Sequence, residues 1–333
     1  FKTWLGEEFR VGANFRRYTP DSDGTIFSDT NGRVITNQEI GIYMGYKLLF
    51  LEDKLTLNVT ARGDKNQNFP LVISPAASFV WTPDKTNVVR FSFSSALRNP
   101  TLADQYLYLD VGPATLVGNL DGATDLVTIQ SFIDYRNSSS GANIGFNLDT
   151  LVYFDIAPLV PEQVRTIEFG YRTTLGDRVY IDANSYFSWY TKFIGYNIGL
   201  DLLFQDPSFP EFVTGVDVYR YAANSLSQVQ TQGLSIGLNY FMTDHLTVNG
   251  NYSWNRLVKT DEDDPIIPAF NTPEHKYNLG ITGRGMKLTN NVSSGFGLNY
   301  RWVQGFVFEG SPQFTGFVPQ YDLLDAQVNA NFK

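Results

Sequence analysis

LTVNGNYSWN, residues 246–255, alternates without a break. One side reads Leu246, Val248, Gly250, Tyr252, Trp254, and the other Thr247, Asn249, Asn251, Ser253, Asn255. A period of two places these sets on opposite faces of a β-strand. The first face is greasy and bulky, and the second is built of amides and hydroxyls. The division recurs elsewhere in the chain. In residues 55–62, Leu55, Leu57, Val59 and Ala61 oppose Thr56, Asn58, Thr60 and Arg62. In 166–173, Ile167, Phe169 and Tyr171 oppose Glu168, Gly170 and Arg172. In 179–189, Ile181, Ala183, Phe187 and Trp189 oppose Tyr180, Asp182, Asn184 and Tyr186. Charges within these strands fall almost entirely on the polar side: Arg10, Arg16, Lys47, Arg62, Arg90, Glu168, Arg172 and Asp182. A soluble sandwich strand also alternates. Bulk on one face and charge on the other fits a transmembrane barrel better, because lipid bathes its outside and its interior is polar.

Composition agrees. Aromatic residues make up 15% of the 333, with 26 Phe, 19 Tyr and 5 Trp. Mean hydropathy is nevertheless −0.19. No apolar run approaches the roughly 18 residues of a membrane helix. Cysteine is absent, which removes disulfides and Cys-based metal or redox sites. The only histidines, His245 and His275, lie too far apart for a helical pair of metal ligands. No cofactor or metal is expected. The net charge of −9 argues against a nucleic-acid partner. The opening Phe1-Lys2-Thr3-Trp4 is no secretory leader, so we expect either a leader already removed or a start within a longer protein.

The pattern predicts twelve strands: 5–18, 34–51, 54–66, 72–83, 86–97, 163–175, 178–198, 227–241, 245–258, 274–284, 289–303 and 320–333. Tight turns at 51–54, 83–86, 175–178, 242–245 and 283–287 alternate with longer connections at 19–33, 67–71, 98–162, 199–226, 259–273 and 304–319. Short turns on one rim and long loops on the other is the arrangement of outer-membrane barrels. No sustained helical period is visible. Ser138-Ser139-Ser140-Gly141 reads as a flexible tip of the longest loop.

Little points to catalysis. Neither histidine lies in a spacing that suggests a Ser–His–acid triad, so an outer-membrane hydrolase ranks last and both histidines are expected at the rims. Asp261-Glu262-Asp263-Asp264 lacks the spacing of a calcium loop and reads as a solvated or lipopolysaccharide-facing acidic loop. Asn137, Asn251 and Asn291 begin chance matches to the glycosylation pattern. Loop 98–162 is more informative. It is far longer than a hairpin needs, and it carries Tyr106, Tyr108, Phe132, Tyr135, Tyr153 and Phe154. These rings either pack the loop against itself or present a ligand-binding surface at the barrel mouth.

Val89-Arg90-Phe91-Ser92-Phe93-Ser94-Ser95-Ala96-Leu97-Arg98-Asn99-Pro100 resembles a signature of TonB-dependent outer-membrane receptors, in which an aromatic/Ser alternation ends in Arg, a small residue and Pro. Pro161-Glu162 followed by Glu168-Phe169-Gly170-Tyr171, then Thr231-Gln232-Gly233-Leu234-Ser235, then Asn271-Thr272-Pro273-Glu274-His275, are similar to later elements of that family in order. Ser235 stands where the family has an acid. The resemblance covers residues 78–333.

The resemblance implies a 22-stranded barrel around an N-terminal plug. An inner-membrane energy-coupling complex would pull on that plug. No plug or coupling box is visible, and the chain stops at Asn331-Phe332-Lys333 rather than at an aromatic terminus. An internal portion of the larger barrel is therefore expected, with a complete twelve-stranded barrel as the alternative. The implied function is energy-coupled uptake of a scarce nutrient, such as an iron chelate or an oligosaccharide, across a Gram-negative outer membrane. Tyr106, Tyr108, Asp110, Tyr135 and Tyr219 are candidate loop contacts to ligand. Arg62, Arg90, Glu168, Arg172 and Asp182 would line the lumen and face the plug or the passing ligand. A second reading makes the chain a protein-binding subunit of a larger outer-membrane assembly, with a surface lipoprotein or other outer-membrane proteins as partners.

Overall fold

The computed structural model describes residues 8–138, 148–204, 213–259, 264, 266, 270–308 and 315–332. Five long strands come first: β1 (Glu8–Tyr18), β2 (Asn37–Phe50), β3 (Leu55–Asn66), β4 (Val72–Trp81) and β5 (Asn87–Arg98). A large excursion follows. It holds α1 (Leu102–Tyr106), β6 (Tyr108–Asp110), β7 (Thr115–Val117), β8 (Ala123–Val127), α2 (Ile129–Ser138), a 3-10 turn (Leu148–Thr150) and β9 (Tyr153–Ile156). Next come β10 (Glu162–Leu175), β11 (Val179–Thr191), β12 (Ile194–Phe204), β13 (Val213–Asn224), β14 (Val229–Phe241), β15 (Leu246–Lys259), β16 (His275–Thr289) and β17 (Val292–Val303). The short β18 (Phe306–Phe308) and β19 (Gly316–Val318) precede β20 (Tyr321–Phe332).

Twelve of these strands form one sheet in the order β1-β2-β3-β4-β5-β10-β11-β14-β15-β16-β17-β20. Every pair in it is antiparallel. This is the transmembrane barrel sheet that the alternation predicts, with all twelve expected strands present.

The register joins the polar sides of the strands into one continuous face. Arg16 opposes Glu39, which opposes Asn66. Tyr43 opposes Arg62, which opposes Ser74. Ser92 opposes Glu168, which opposes Tyr186. Arg172 opposes Asp182, which opposes Gly237. The apolar sides join in the same way, as in the row Phe79–Phe91–Phe169. A one-residue slip of any strand would carry its polar set into lipid, so the register is strongly specified. The greasy residues are exposed on the protein alone: Phe91, Phe169, Ile236 and Leu279 all are. Lipid covers such a band in a membrane barrel, and the opposite face lines the interior.

Glycine makes the inward ion pairing possible. Arg90 reaches across Gly170 on β10 to Asp182 on β11, with 2.6 Å between Nη2 and Oδ1. A Cβ on Gly170 would stand 2.8 Å from Arg90 Nε. Gly41 likewise lies beneath the Arg62 guanidinium, which bonds Asn14 on the strand beyond it. Missing side chains on the polar face let long cationic ones lie flat across a strand.

The structure corrects the sequence reading in several places. The expected strand 178–198 breaks at Lys192, whose φ is +57°. The part beyond the break, β12, belongs to a second sheet. The expected turn at 283–287 is strand: β16 continues through two register shifts to Thr289, and Asn290-Asn291 make the turn. Helices exist in the long loop although no helical period announces them. α2 spans 10 residues, too few for a clear periodic signal. Asp264 is not solvated. It is 4% exposed and accepts from the Ser227 and Ile266 amides. Asp261, Glu262 and Asp263 lie outside the described residues, as do Ser139, Ser140 and Gly141.

The long connections assemble into a six-stranded sheet above the barrel rim, in the order β6-β7-β13-β12-β8-β9. Polar bonds tie it down where β5 ends. Thr101 caps α1, accepting from the Asp104 amide while its own amide donates to the Asp104 carboxylate. The buried Gln105 carbonyl then accepts from Asn37 at 3.0 Å and Asn68 at 2.8 Å, and the Gln105 amide group donates to the Pro100 carbonyl. Across the excursion, Glu162 pairs with Arg98 at 3.1 Å and accepts from the Ile194 amide.

Candidate functional site

The rim sheet brings sequence-distant residues side by side. In the hairpin of β12 and β13, Gly199 opposes Tyr219, Asn197 opposes Tyr221 and Asp201 opposes Asp217. On its other side β13 pairs in parallel with β7, so Tyr219 lies beside Thr115 and Tyr221 beside Val117. β6 adds antiparallel to β7, setting Asp110 beside Thr115 and Tyr108 beside Val117. Residues matched in this way share a face. One row of that face therefore reads Asp110, Thr115, Tyr219, Gly199. The next reads Tyr108, Val117, Tyr221, Asn197. Three of the expected ligand contacts, Tyr108, Asp110 and Tyr219, stand on one face of one sheet.

The face is acidic and open over β6, while at its other end Leu126 covers Gly199 and Tyr221 packs against the buried cluster of Leu126, Ile156, Ala223 and Ile266. Tyr108 is 50% exposed, and Asp110, Asp201 and Asp217 are exposed beside half-buried Tyr219 and Tyr221. The Tyr219 and Tyr221 rings sit 5.9 Å apart and tilted by 44°. Burial, and then the charges of Asp217 and Asp201, push the Tyr219 phenol above its ordinary value. Burial and Asp201 do the same for Tyr221. Both stay neutral donors under physiological conditions. No Lys or Arg occupies this face in β6, β7, β12 or β13 among the described residues. Tyrosine rings beside carboxylates can stack on an amphipathic ligand while accepting its hydroxyl or ammonium hydrogens.

The opposite face of the sheet is structural. Tyr135 on α2 is 1% exposed there, packed in a cluster with Val127, Leu151, Leu200 and Leu202. Arg220 stacks 3.7 Å over the Tyr196 ring. Tyr106 is 7% exposed, and its hydroxyl accepts from Asn68 at 2.7 Å. Tyr106 and Tyr135 thus hold the loop together and offer no ring to a ligand outside. Sequence reasoning missed Tyr221, Asp201 and Asp217. Alternation within the hairpin would have linked them to Tyr219, had residues 199–226 been read as strands.

Arg62, Arg90, Glu168, Arg172 and Asp182 all share the polar face of the barrel sheet. Arg62 forks onto Asp64 at 2.7 and 2.6 Å. Ser92 donates to Glu168 at 3.0 Å. A recess of about 290 Å³ is lined by Asn14, Arg16, Glu39, Arg62 and Asp64. His245 sits on the short-turn rim, its Nδ1 2.9 Å from the Arg284 carbonyl. His275 bonds the Tyr252 hydroxyl at 2.7 Å on the apolar face near the other rim.

The family model for "TonB dependent receptor-like, beta-barrel" matches residues 1–333. No curated protein matches the sequence. Several solved structures share the fold. The siderophore receptor PirA from Acinetobacter baumannii is 14% identical with a TM-score of 0.58, over 100% of this chain and 46% of its own. A mutant of the ferric enterobactin receptor PfeA from Pseudomonas aeruginosa, in complex with enterobactin, is 12% identical with a TM-score of 0.65, over 100% of this chain and 45% of its own. The FrpB iron transporter from Neisseria meningitidis is 13% identical with a TM-score of 0.60, over 98% of this chain and 45% of its own. The chain spans less than half the length of these structures.

Proposed function

Because the chain belongs to the TonB-dependent receptor-like β-barrels, we propose that it is the barrel portion of an outer-membrane receptor that takes up a scarce nutrient. Ligand is captured outside on the loop sheet and passes inward along the polar face. Energy comes from an inner-membrane complex acting through a plug that lies beyond this chain. Arg62, Arg90, Glu168, Arg172 and Asp182 line the path, and those already paired also stiffen the wall. The mechanism is binding and release, without a chemical step.

The placing of Tyr108, Asp110, Tyr219 and Tyr221 on one face, the first two exposed and the tyrosines of β13 half-buried, supports this most directly. Its chemistry also narrows the ligand. A face of phenols and carboxylates repels a polyanion, because like charges brought together on binding cost several kcal/mol. Among the nutrients considered, a neutral oligosaccharide fits this face better than an anionic iron chelate. Whole cells lacking the receptor and complemented with wild type or Tyr108→Ala/Tyr219→Ala provide the test. Uptake of labelled oligosaccharides and ferric chelates is measured. The double variant should raise the half-saturating oligosaccharide concentration at least ~10-fold, at about 1 kcal/mol or more for each lost stacking ring. No uptake defect for any probe upon deletion would overturn transport. Tyrosine-rich open faces also suit protein partners. Stoichiometric co-purification of another outer-membrane protein, lost in the double variant, would favour the subunit reading instead.

A further inference from the structure

The inward face of the barrel sheet changes character along its length. On β1–β5, β10 and β11 it is charged, with Arg16, Glu39, Arg62, Arg90, Glu168 and Asp182 among its residues. From β14 onward, amides, hydroxyls and glycines replace most of the charge. Two neighbouring rows across β15, β16, β17 and β20 read Asn249–Gly280–Asn299–Asp325 and Thr247–Thr282–Gly297–Gln327. Asp325 is the one charge in them. Asn249 is three residues past the start of β15, about 10 Å along the strand from the short-turn rim.

A recess of about 360 Å³ opens over these rows, lined by Asn249, Thr282, Asn299, Asp325 and Gln327. Glycine shapes it. The Asn249 amide lies over Gly280, 2.8 Å from where a Cβ would stand, and the Gln327 amide lies over Gly297 at 3.0 Å. Both amides can therefore lie flat against the wall. The next row toward the long loops closes on itself: Arg301 donates to Asn278 at 3.1 Å, and Asn278 donates to Asn251 at 2.9 Å. In the recess, none of the five polar side chains bonds another described residue. A free side chain alone marks nothing, since the inward Arg16 and Arg172 are free as well. The recess differs in gathering several free, uncharged groups around a single carboxylate.

This chemistry is selective. An amide offers donors and acceptors, a hydroxyl offers both, and a carboxylate accepts only. Together they match the hydroxyls and ring oxygens of a neutral saccharide. No Lys or Arg stands in the two rows to hold a phosphate or carboxylate. No aromatic ring stands there to stack, so a saccharide is held weakly. Weak binding suits a path, because a ligand in transit must be held well enough to enter and loosely enough to leave. Protein docking surfaces rest instead on aromatic or arginine anchors, and these rows have neither.

Resting on the reading of the loop face as a saccharide receptor, we propose that this recess is a transit subsite for a neutral oligosaccharide near the release end of the barrel. Tyr108 and Tyr219 capture the sugar outside by stacking. Asn249, Thr282, Asn299 and Gln327 take its hydroxyls within, and Asp325 accepts from one of them. The two sites divide the kinetics: capture sets the half-saturating concentration, and the recess sets the maximal rate.

The test measures uptake by whole cells carrying the full-length receptor. Labelled malto-, xylo- and cello-oligosaccharides are offered, and the one that wild type takes up fastest becomes the probe. Asn249→Leu/Asn299→Leu should lower the maximal rate about 10-fold, at roughly 2- to 10-fold for each hydrogen bond lost, and hold the half-saturating concentration within about twofold. Gly280→Ala keeps every polar group but unseats the Asn249 amide, and should lower the rate about 3-fold. Asp325→Asn should change neither quantity, because a neutral sugar does not need the charge. Retained heat-modifiability on gels shows that each variant is folded. An unchanged maximal rate in the double variant would overturn the proposal while leaving saccharide uptake standing. No wild-type uptake of any probe would overturn both. Entry of vancomycin into cells bearing the double variant would mean that these rows seat the plug, and a raised half-saturating concentration alone would move them to capture; either result would also overturn the proposal.

Discussion

Phe91→Arg tests the assignment of faces at its most sensitive point. On β5 the outward positions run Asn87, Val89, Phe91, Phe93, Ser95 and Leu97, and Ser95 opposes Arg165, the first charge on that side. Phe91 is four residues from Asn87 at the turn and four from Ser95 at the level of that charge. At about 3.4 Å per residue that is some 14 Å along the strand, or about 10 Å along the membrane normal for a strand tilted near 40°. Phe91 is therefore near mid-membrane, flanked by Phe79 and Phe169. An arginine at that depth costs about 2–4 kcal/mol. Losing the phenyl ring from an apolar setting adds about 2 kcal/mol. The sum, about 4–6 kcal/mol, rivals the whole stability of many domains. Ser92→Arg is the control: it points inward, beside Glu168, and should cost under about 1 kcal/mol. The assay is denaturant unfolding of the full-length receptor in vesicles, with heat-modifiability as the folding readout. Equal destabilisation by the neighbouring substitutions would refute the alternation on which the barrel rests.

Three other outcomes follow from particular contacts. Gln105→Ala removes the acceptor of the Asn37 amide and the donor to Pro100, at a cost of about 2 kcal/mol or more, and should speed tryptic cleavage after Arg98 without unfolding the barrel; unchanged cleavage would contradict the anchoring role. The Arg90–Asp182 pair is 40% and 32% exposed, so a double-mutant cycle should show coupling below about 1 kcal/mol that shrinks in salt; a salt-insensitive coupling above about 2 kcal/mol would mean the pair is shielded from solvent in the assembled protein. Asp29 accepts from the Ser22 hydroxyl and the Ser22 and Gly24 amides, which hold its carboxyl at about 2 against an ordinary 3.8. A lowered folded-state value stabilises the loop above pH 3.8 and is lost as the pH falls through about 2, so peptic cleavage within 19–36 should rise over that window. Ser22→Ala should move the onset of cleavage to higher pH, and an onset that stays put would count against this cause.

The barrel was legible because its information is local. Each strand declares itself through period-two alternation, and an antiparallel neighbour a short turn away must match greasy side to greasy side. That logic yields twelve strands and the shared face of Arg62, Arg90, Glu168, Arg172 and Asp182 without any knowledge of loops. It fails where alternation continues past a change of sheet. Residues 178–198 alternate throughout, yet the chain turns at Lys192 and begins β12. A single left-handed residue interrupts a strand without disturbing its polarity pattern, so the break is silent in the sequence.

The proposed ligand face was half legible for a related reason. Tyr108 and Asp110 sit in β6, only 3 residues long, where no periodicity can be measured. Tyr219 lies more than a hundred residues later. What unites them is the parallel pairing of β7 with β13, which needs no tight turn and leaves no turn signature. Residue type alone ranked Tyr106 and Tyr135 equal to Tyr108 and Tyr219, since a tyrosine packs a core or faces a ligand with the same chemistry. Burial separates them, and burial depends on the non-local sheet. The same limit hides the partner of a charge. Arg90 and Asp182 read only as two charges of the polar side until the register lays β5, β10 and β11 next to one another and brings them to 2.6 Å. In a barrel of this kind, the sign and depth of a charge follow from local pattern, whereas its partner follows only from how distant strands are laid side by side.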